Sequence, residues 1–317
     1  MSDGRPLRMG TRASLLARTQ SGHVAAALTR ATGRAVEEVL VRTEGDQLST
    51  EGRIPSAGDS VGVFVRALDD ALRRDEIDFA VHSLKDVPTE YAGDLLMAAV
   101  PARADVRDAL VVASRHSART VQELPRGAKV ATASPRRVAQ LLRLRPDLTT
   151  VTMAGNVDTR LRRLEEGRAD ALILACAGLD RLSFGDRITL RIPLDELLSA
   201  PAQGALGISC RRDDADAAAA IATLDDPLAS AAAAAERSLL NALRAGCRAP
   251  VAALATPGGG GTLALRARVL ALDGSEMLED EATGPVADPG GLGRLLAQRL
   301  LASGAQRLVT EARAAER

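Results

Sequence analysis

Short apolar runs and amphipathic stretches alternate along the first two-thirds of the chain. PLRMG (6–10) predicts a strand, and SLLARTQSGHVAAALTRATG (14–33) predicts a helix with Ser14 as N-cap and Gly33 near its end. AVEEVLVRT predicts a strand, FVRALDDALRRDE a helix, and IDFAVHS a short strand of the buried kind. After Pro101 the cycle restarts, with KVATAS, TTVTMAG and DALILACAG as strands and PRRVAQLLRLR and NVDTRLRRLEEGR as helices. Two successive βα lobes with parallel-type strands are the expectation.

LSAPAQGALGISCRR then offers Pro201 and Gly204 as a break, followed by a strand suited to a return crossing into the first lobe. From Asp226 the pattern changes. DDPLASAAAAAERSLLNALRAG predicts a long helix with Asp226 as N-cap, Pro227 at its first position and Gly246 as stop. LALRARVLALDGSEMLEDEATG alternates on either side of Asp273-Gly274, a hairpin signal, and GLGRLLAQRLLASG predicts a closing helix. These last segments predict a small α+β domain. TPGGGG (256–261) predicts a loop too glycine-uniform for a phosphate cradle.

Composition narrows the function classes. At 317 residues the chain exceeds one compact core of ordinary size, so two or three domains are expected. A formal net charge of zero gives no bulk attraction for nucleic acid or an anionic membrane. Aromatic residues make up 1% of the chain, without Trp, which argues against stacking platforms for single-stranded nucleic acid. No run approaches ~18 apolar residues, and MSDGRPLRMG has no apolar leader core, so neither a membrane span nor a secretory signal is expected. Cys176, Cys210 and Cys247 lie far apart without CxxC spacing, which predicts no disulfide framework and no metal site, and a cytoplasmic protein. Of the 41 basic residues only Lys85 and Lys129 are lysine, so any anion site must be built mostly from arginine.

Arginine recurs where helices follow strands. TRAS places Arg12 and Ser14 at one such junction, TASPRRVAQ places Thr132, Ser134, Arg136 and Arg137 at a second, and AGNVDTR places Asn156 and Arg160 at a third. Helix N-termini favour anions, and the guanidinium fork matches carboxylates and phosphates. A ligand with several anionic groups would explain the set; an arginine-rich solvated surface is the alternative.

Two further stretches hold candidate chemistry. In HSLKDVP a carboxylate at a strand's end, Asp86, sits beside Lys85. It could steady a cation or move a proton, or the pair could form a salt-bridged turn before Pro88. A Ser83–Lys85 hydrolase has no accompanying oxyanion motif. In RAGCRAP, Cys247 follows a helix-stopping glycine between Arg244 and Arg248, where positive charge would favour the thiolate, whereas Cys176 and Cys210 sit in predicted apolar strands as inert thiols.

The ordered stretches LRMGTRAS, TEGD, GVFVRAL, DFAVHSLKDVP, RADVRDAL, ATASPRRVAQLLRLRPDL, GNVDTRL, LILACAGLDRL, PAQGALGISCR, AERSLLNALRAGCRAPV and LDGS together resemble the porphobilinogen deaminase (hydroxymethylbilane synthase) family over nearly the whole chain. The resemblance implies an α/β fold of two periplasmic-binding-protein-like βα lobes plus a small C-terminal α+β domain. The divisions would be 1–103 with 202–222 returning to it, 104–201, and 226–317 with the cofactor cysteine. It implies one dipyrromethane per chain, held by a thioether on Cys247. The transferase would condense four porphobilinogen molecules, with loss of ammonia, into linear hydroxymethylbilane for tetrapyrrole biosynthesis, acting as a monomer. Asp86 becomes the catalytic carboxylate, tending the cationic azafulvene and the pyrrole N–H protons, while His82 and Ser83 become strand-end hydrogen-bonding residues. Lys85, Arg12, Ser14, Thr132, Ser134, Arg136, Arg137, Asn156, Arg160, Arg181 and Gln203 fall where the family binds the cofactor and the acetate and propionate groups.

Three stretches depart from the family pattern. Ala154 stands where an arginine usually precedes GN, which removes a charge-assisted contact worth about 1.5–3 kcal/mol. SAGDSVGVF replaces a glycine-rich loop, with Asp59 for a glycine and Val61 offering no donor, and PAQG replaces PGQG. These departures leave two other readings: a paralogue that binds pyrroles or tetrapyrroles with reduced or no turnover, and a relative of two-lobed solute-binding proteins. Cys247 weighs against the latter.

Overall fold

The computed structural model describes residues 5–41, 63–90, 93–245 and 249–315. These form two compact units, one within 1–104 and 205–230, the other within 105–204 and 231–317. The first unit begins with β1 (Leu7–Thr11), β2 (Val36–Leu40), β3 (Phe79–Ser83) and β4 (Leu95–Ala99). In the second unit follow β5 (Asp108–Val112), β6 (Lys129–Ala131), β7 (Thr149–Val151), β8 (Ala171–Ala175) and β9 (Leu190–Arg191). The chain then supplies β10 (Leu206–Arg211) to the first sheet.

The first sheet has the order β2-β1-β3-β10-β4 and the second β7-β6-β8-β5-β9, which is one pattern used twice. β1 runs parallel to β2 and β3, and β6 runs parallel to β7 and β8. β10 and β5 are antiparallel to their neighbours, so the sheets are mixed rather than all parallel. Neither strand follows a covering helix within its own sheet, and without that crossover a parallel neighbour cannot form.

The backbone repeats the pattern in detail. Asp78 N donates to Arg8 O and its Oδ2 accepts from Arg8 N, at 2.8 and 2.7 Å; Asp170 and Lys129 make the same two bonds, both at 2.8 Å. At the opposite end Leu84 N donates to Ala205 O and Cys176 N to Arg107 O, each at 3.1 Å. Apolar residues point to both faces: Met9, Phe79 and Val81 pack with Val24 and Leu28, while Ala80 packs with Leu68 and Leu72. That double burial explains why the strands are near-continuous apolar runs.

The second unit also holds β11 (Val251–Pro257), β12 (Thr262–Leu270) and β13 (Met277–Pro285), antiparallel in chain order. The hairpin joining the last two turns through Asp273 and Gly274, whose φ of +74° suits glycine. Asp226 caps the helix Pro227–Ala242 by accepting from Leu228 N and Ala229 N. The expected closing helix is two, Pro289–Ala302 and Ala305–Ala314, parted by Gly304 at φ +102°. The strand expected over 170–178 ends at Ala175, and Cys176 opens the helix Cys176–Arg181 instead. An apolar run alone does not distinguish a buried strand from the buried turn of helix after it.

Candidate functional site

In the first unit, the exits of β1 and β3 carry the candidate residues. Ser14 has extended backbone, and its Oγ accepts from Ala17 N at 3.3 Å, capping the helix Leu15–Thr32. Arg12 is half-buried just ahead of this cap. Beyond β3, Leu84 and Val87 drop into the core and Pro88 blocks continuation, so the chain makes one 3-10 turn over Leu84–Asp86. That turn leaves Lys85 half-buried and Asp86 exposed at the carboxyl end of the strand.

The neighbours of Asp86 are structural. Ser83 Oγ donates to Gln20 Oε1 at 3.2 Å. Buried His82 sits with Nε2 2.9 Å from Ser209 Oγ on β10. Burial first, and the charge of Arg12 second, push the His82 imidazole down to about 4, so it is neutral near pH 7 and does not relay protons there.

In the second unit, the helix Pro135–Leu144 begins after Thr132, whose Oγ1 accepts from Ser134 N at 3.3 Å. Ser134 occupies the N-cap position, and its side chain makes no capping bond. Arg136 and Arg137 turn inward onto Asp108, the first residue of β5, which is fully buried. Arg136 Nη1 donates to Asp108 Oδ2 at 2.7 Å and to Leu198 O at 2.6 Å. Arg137 Nε and Nη2 donate to Asp108 Oδ1 at 3.0 and 2.8 Å, and Gln203 Nε2 donates to the same oxygen at 3.0 Å. Burial alone would raise the Asp108 carboxyl, but the two guanidinium charges hold it well below the usual carboxylate range. Arg181 Nη2 donates to Gly204 O at 2.8 Å. Arg136, Arg137, Gln203 and Arg181 thus form a frame beneath the helix start, their bonds directed to protein atoms.

Asn156 is exposed at the N-cap of the helix Val157–Glu165, without a side-chain capping bond. Gly155 before it has φ +105°, and a Cβ there would meet Thr159 Cγ2 at 2.8 Å, so the tight turn requires glycine. Arg160 follows on this helix. Its Nε is buried without a hydrogen-bond partner among the described residues. Burial first, then the charges of Arg137 and Arg163, lower the guanidinium to about 10. A half-buried cation with a buried, unpartnered Nε and like charges around it fits a carboxylate-bearing ligand such as dipyrromethane.

Two acids that organise these surroundings carry little sequence signal. Asp108 is a charge opening the apolar run DALVV, and Glu236 an acid in an alanine-rich helix. Glu236 is buried and accepts from Ala202 N at 2.5 Å and Ala255 N at 2.7 Å, tying the turn before β10 to the C-terminal sheet. Cys176 and Cys210 are buried, their thiols pushed up to about 11 chiefly by burial. Cys247 and the 56–62 stretch with Asp59 and Val61 lie outside the described residues. Among the described residues no cluster of His, Cys, Asp or Glu could hold a metal ion, and no helix is long and apolar enough to cross a membrane.

Residues 7–219 match the family described as porphobilinogen deaminase, dipyromethane cofactor binding domain, and residues 230–302 match its C-terminal domain. The chain is 46% identical over 317 residues to porphobilinogen deaminase 1 of Streptomyces coelicolor, covering 96% of this chain and 98% of the relative. It is 47% identical over 306 residues to porphobilinogen deaminase of Corynebacterium efficiens, covering 96% and 99%. Among solved structures it is similar to the methionine binding protein MetQ, with TM-score 0.45 and 12% identity, over 70% of this chain and 90% of that one. With both domain types matched in order and relatives this similar end to end, the chain belongs to the porphobilinogen deaminase family.

Proposed function

We propose that the chain is a hydroxymethylbilane synthase, condensing four porphobilinogen molecules with release of ammonia into linear hydroxymethylbilane. The observation that carries this reading is the match of the cofactor-binding domain over 7–219, which takes in Asp86 on its exposed turn. Dipyrromethane, bound through a thioether to Cys247, would supply the primer that accepts each incoming pyrrole.

The chain's own residues divide the work. Asp86, held outward by the 3-10 turn, stabilises positive charge and takes up or returns the pyrrole N–H proton. Lys85, Arg12, Ser14, Thr132, Ser134, Asn156 and Arg160 bind acetate and propionate groups, in keeping with their placement at strand exits and in the first turns of helices. Arg181, at the end of the helix Cys176–Arg181, adds a further cation while one nitrogen holds Gly204 O. Arg136, Arg137 and Gln203 act through Asp108, holding that helix start in place. The same reading divides the chain into three domains, 1–103 with 202–222, 104–201 and 226–317, supported by three sheets. It takes the protein to be a cytoplasmic monomer.

Intact-mass spectrometry tests the proposal. The purified protein should carry an adduct of dipyrromethane size, absent from Cys247→Ser, and porphobilinogen should yield ammonia and uroporphyrin. A bare mass without turnover would overturn the reading, and an adduct without turnover would point to a pyrrole-binding paralogue.

A further inference from the structure

The turn at 153–156 has a methyl group at position 154 and a cation beside it. Arg163, half-buried on the helix Val157–Glu165, donates from Nη1 to Ala154 O at 2.8 Å. Arg160 lies one helical turn earlier, three residues away and so on the same face. Among the described residues neither arginine forms an ion pair, although acids stand close by in sequence. Glu166 is taken by Arg162 at 2.8 Å, and Glu165 by Ser114 Oγ at 2.6 Å and by Arg187. The charges of Arg137 and Arg163 both bear on Arg160, whose Nε is buried without a partner among the described residues. Such a group is costly unless an outside anion completes it.

We propose that Arg163 binds a substrate or cofactor carboxylate beside the 153–156 turn, reaching from its helix to supply the charge that residue 154 lacks. The ligand group is an acetate or propionate on a pyrrole. This rests on the functional reading above. Arg163 keeps its place through the Ala154 carbonyl, leaving its other guanidinium nitrogens for the anion.

Arg163→Gln separates the two roles, because an amide still donates to Ala154 O but has no charge. In the cofactor-loaded enzyme we expect kcat/KM for porphobilinogen to fall about tenfold or more, mainly through KM, as for a lost charge-assisted contact. The melting temperature should hold, and intact-mass spectra should show partly extended chains accumulating. Arg163→Lys should fall between Arg163→Gln and wild type, and adding Ala154→Arg to Arg163→Gln should recover kcat/KM. The proposal is overturned if Arg163→Gln keeps the wild-type KM and mass ladder. It is equally overturned if the KM rise comes with a lowered melting temperature that Arg163→Lys shares and Ala154→Arg does not mend. Should the wild-type protein fail to turn over, the functional reading falls alone. The thermal shift produced by porphobilinogen then decides: loss in Arg163→Gln supports the site, and an unchanged shift removes it.

Discussion

The two five-stranded sheets share strand order, edge bonds and the backbone bond beyond the third parallel strand, yet they treat a carboxylate at the same corner in opposite ways. In the first sheet the corner pairs Leu206 with Ser83, and the chain continues into Leu84, Lys85 and exposed Asp86. In the second it pairs Asp108 with Ala175 and continues into Cys176, Ala177 and Gly178. One acid stands outside, and the other is buried beneath two arginines. A hydrogen-bonded backbone frame is thus reused while a few side chains decide whether the corner presents an exposed acid or holds a helix in place.

The largest effect should come from the exposed acid. Asp86→Asn should lower turnover by roughly 10²–10⁴-fold, as for loss of a general acid–base group, while the mass adduct and the melting temperature persist. A rate near wild type would remove Asp86 from the chemistry. The buried acid should behave in reverse. Asp108→Ala strands Arg136 and Arg137 and should cost about 3–5 kcal/mol in denaturant unfolding, through the second unit. Unchanged stability would mean the buried cluster is not under the strain its burial implies.

A pH experiment sharpens the contrast. Leu174 holds the place in β8 that His82 holds in β3. Because the folded-state pKa of His82 lies below its unfolded value, its contribution is intact above about pH 6.5 and lost as pH falls towards 4. The unfolded chain takes a proton in that window that the folded chain refuses. At about 1.4 kcal/mol per pKa unit, the loss reaches about 3 kcal/mol for the first unit. His82→Gln, which can still bond Ser209, should flatten this pH dependence; parallel wild-type and mutant curves from pH 7 to 4.5 would contradict it. The smallest effect separates the helix starts. Ser14→Ala should cost about 1 kcal/mol through its lost cap, and Ser134→Ala less, since Ser134 makes no capping bond. Equal losses in the melting curves would count against this.

Local rules made much of the molecule legible. Ser14 and Asp226 cap the helices they were expected to cap, and Gly33 stops the first of them in a left-handed turn at φ +74°. Asp273-Gly274 turns the C-terminal hairpin. Each depends on backbone groups within a few residues. The direction of β5 and β10, the end of β8 at Ala175 and the split at Gly304 were not legible in that way. At the site, the turn bearing Asp86 announces itself as four polar residues between an apolar strand and Pro88. The inward turn of Arg136 and Arg137 does not, because a guanidinium looks alike in sequence whether it waits for a ligand or already holds Asp108.

By itself the sequence determined the capped helix starts at Ser14 and Asp226, the hairpin turn at Asp273-Gly274, and which family motifs stand in order, because capping and turn chemistry are short-range. Only the tertiary structure decided which charges are already spent. Asp108 meets Arg136 and Arg137 from 28 and 29 residues away, and Glu236 meets Ala202 from 34. Burial then makes those pairings strong enough to hold the frame, while the Nε of half-buried Arg160 has no such partner among the described residues.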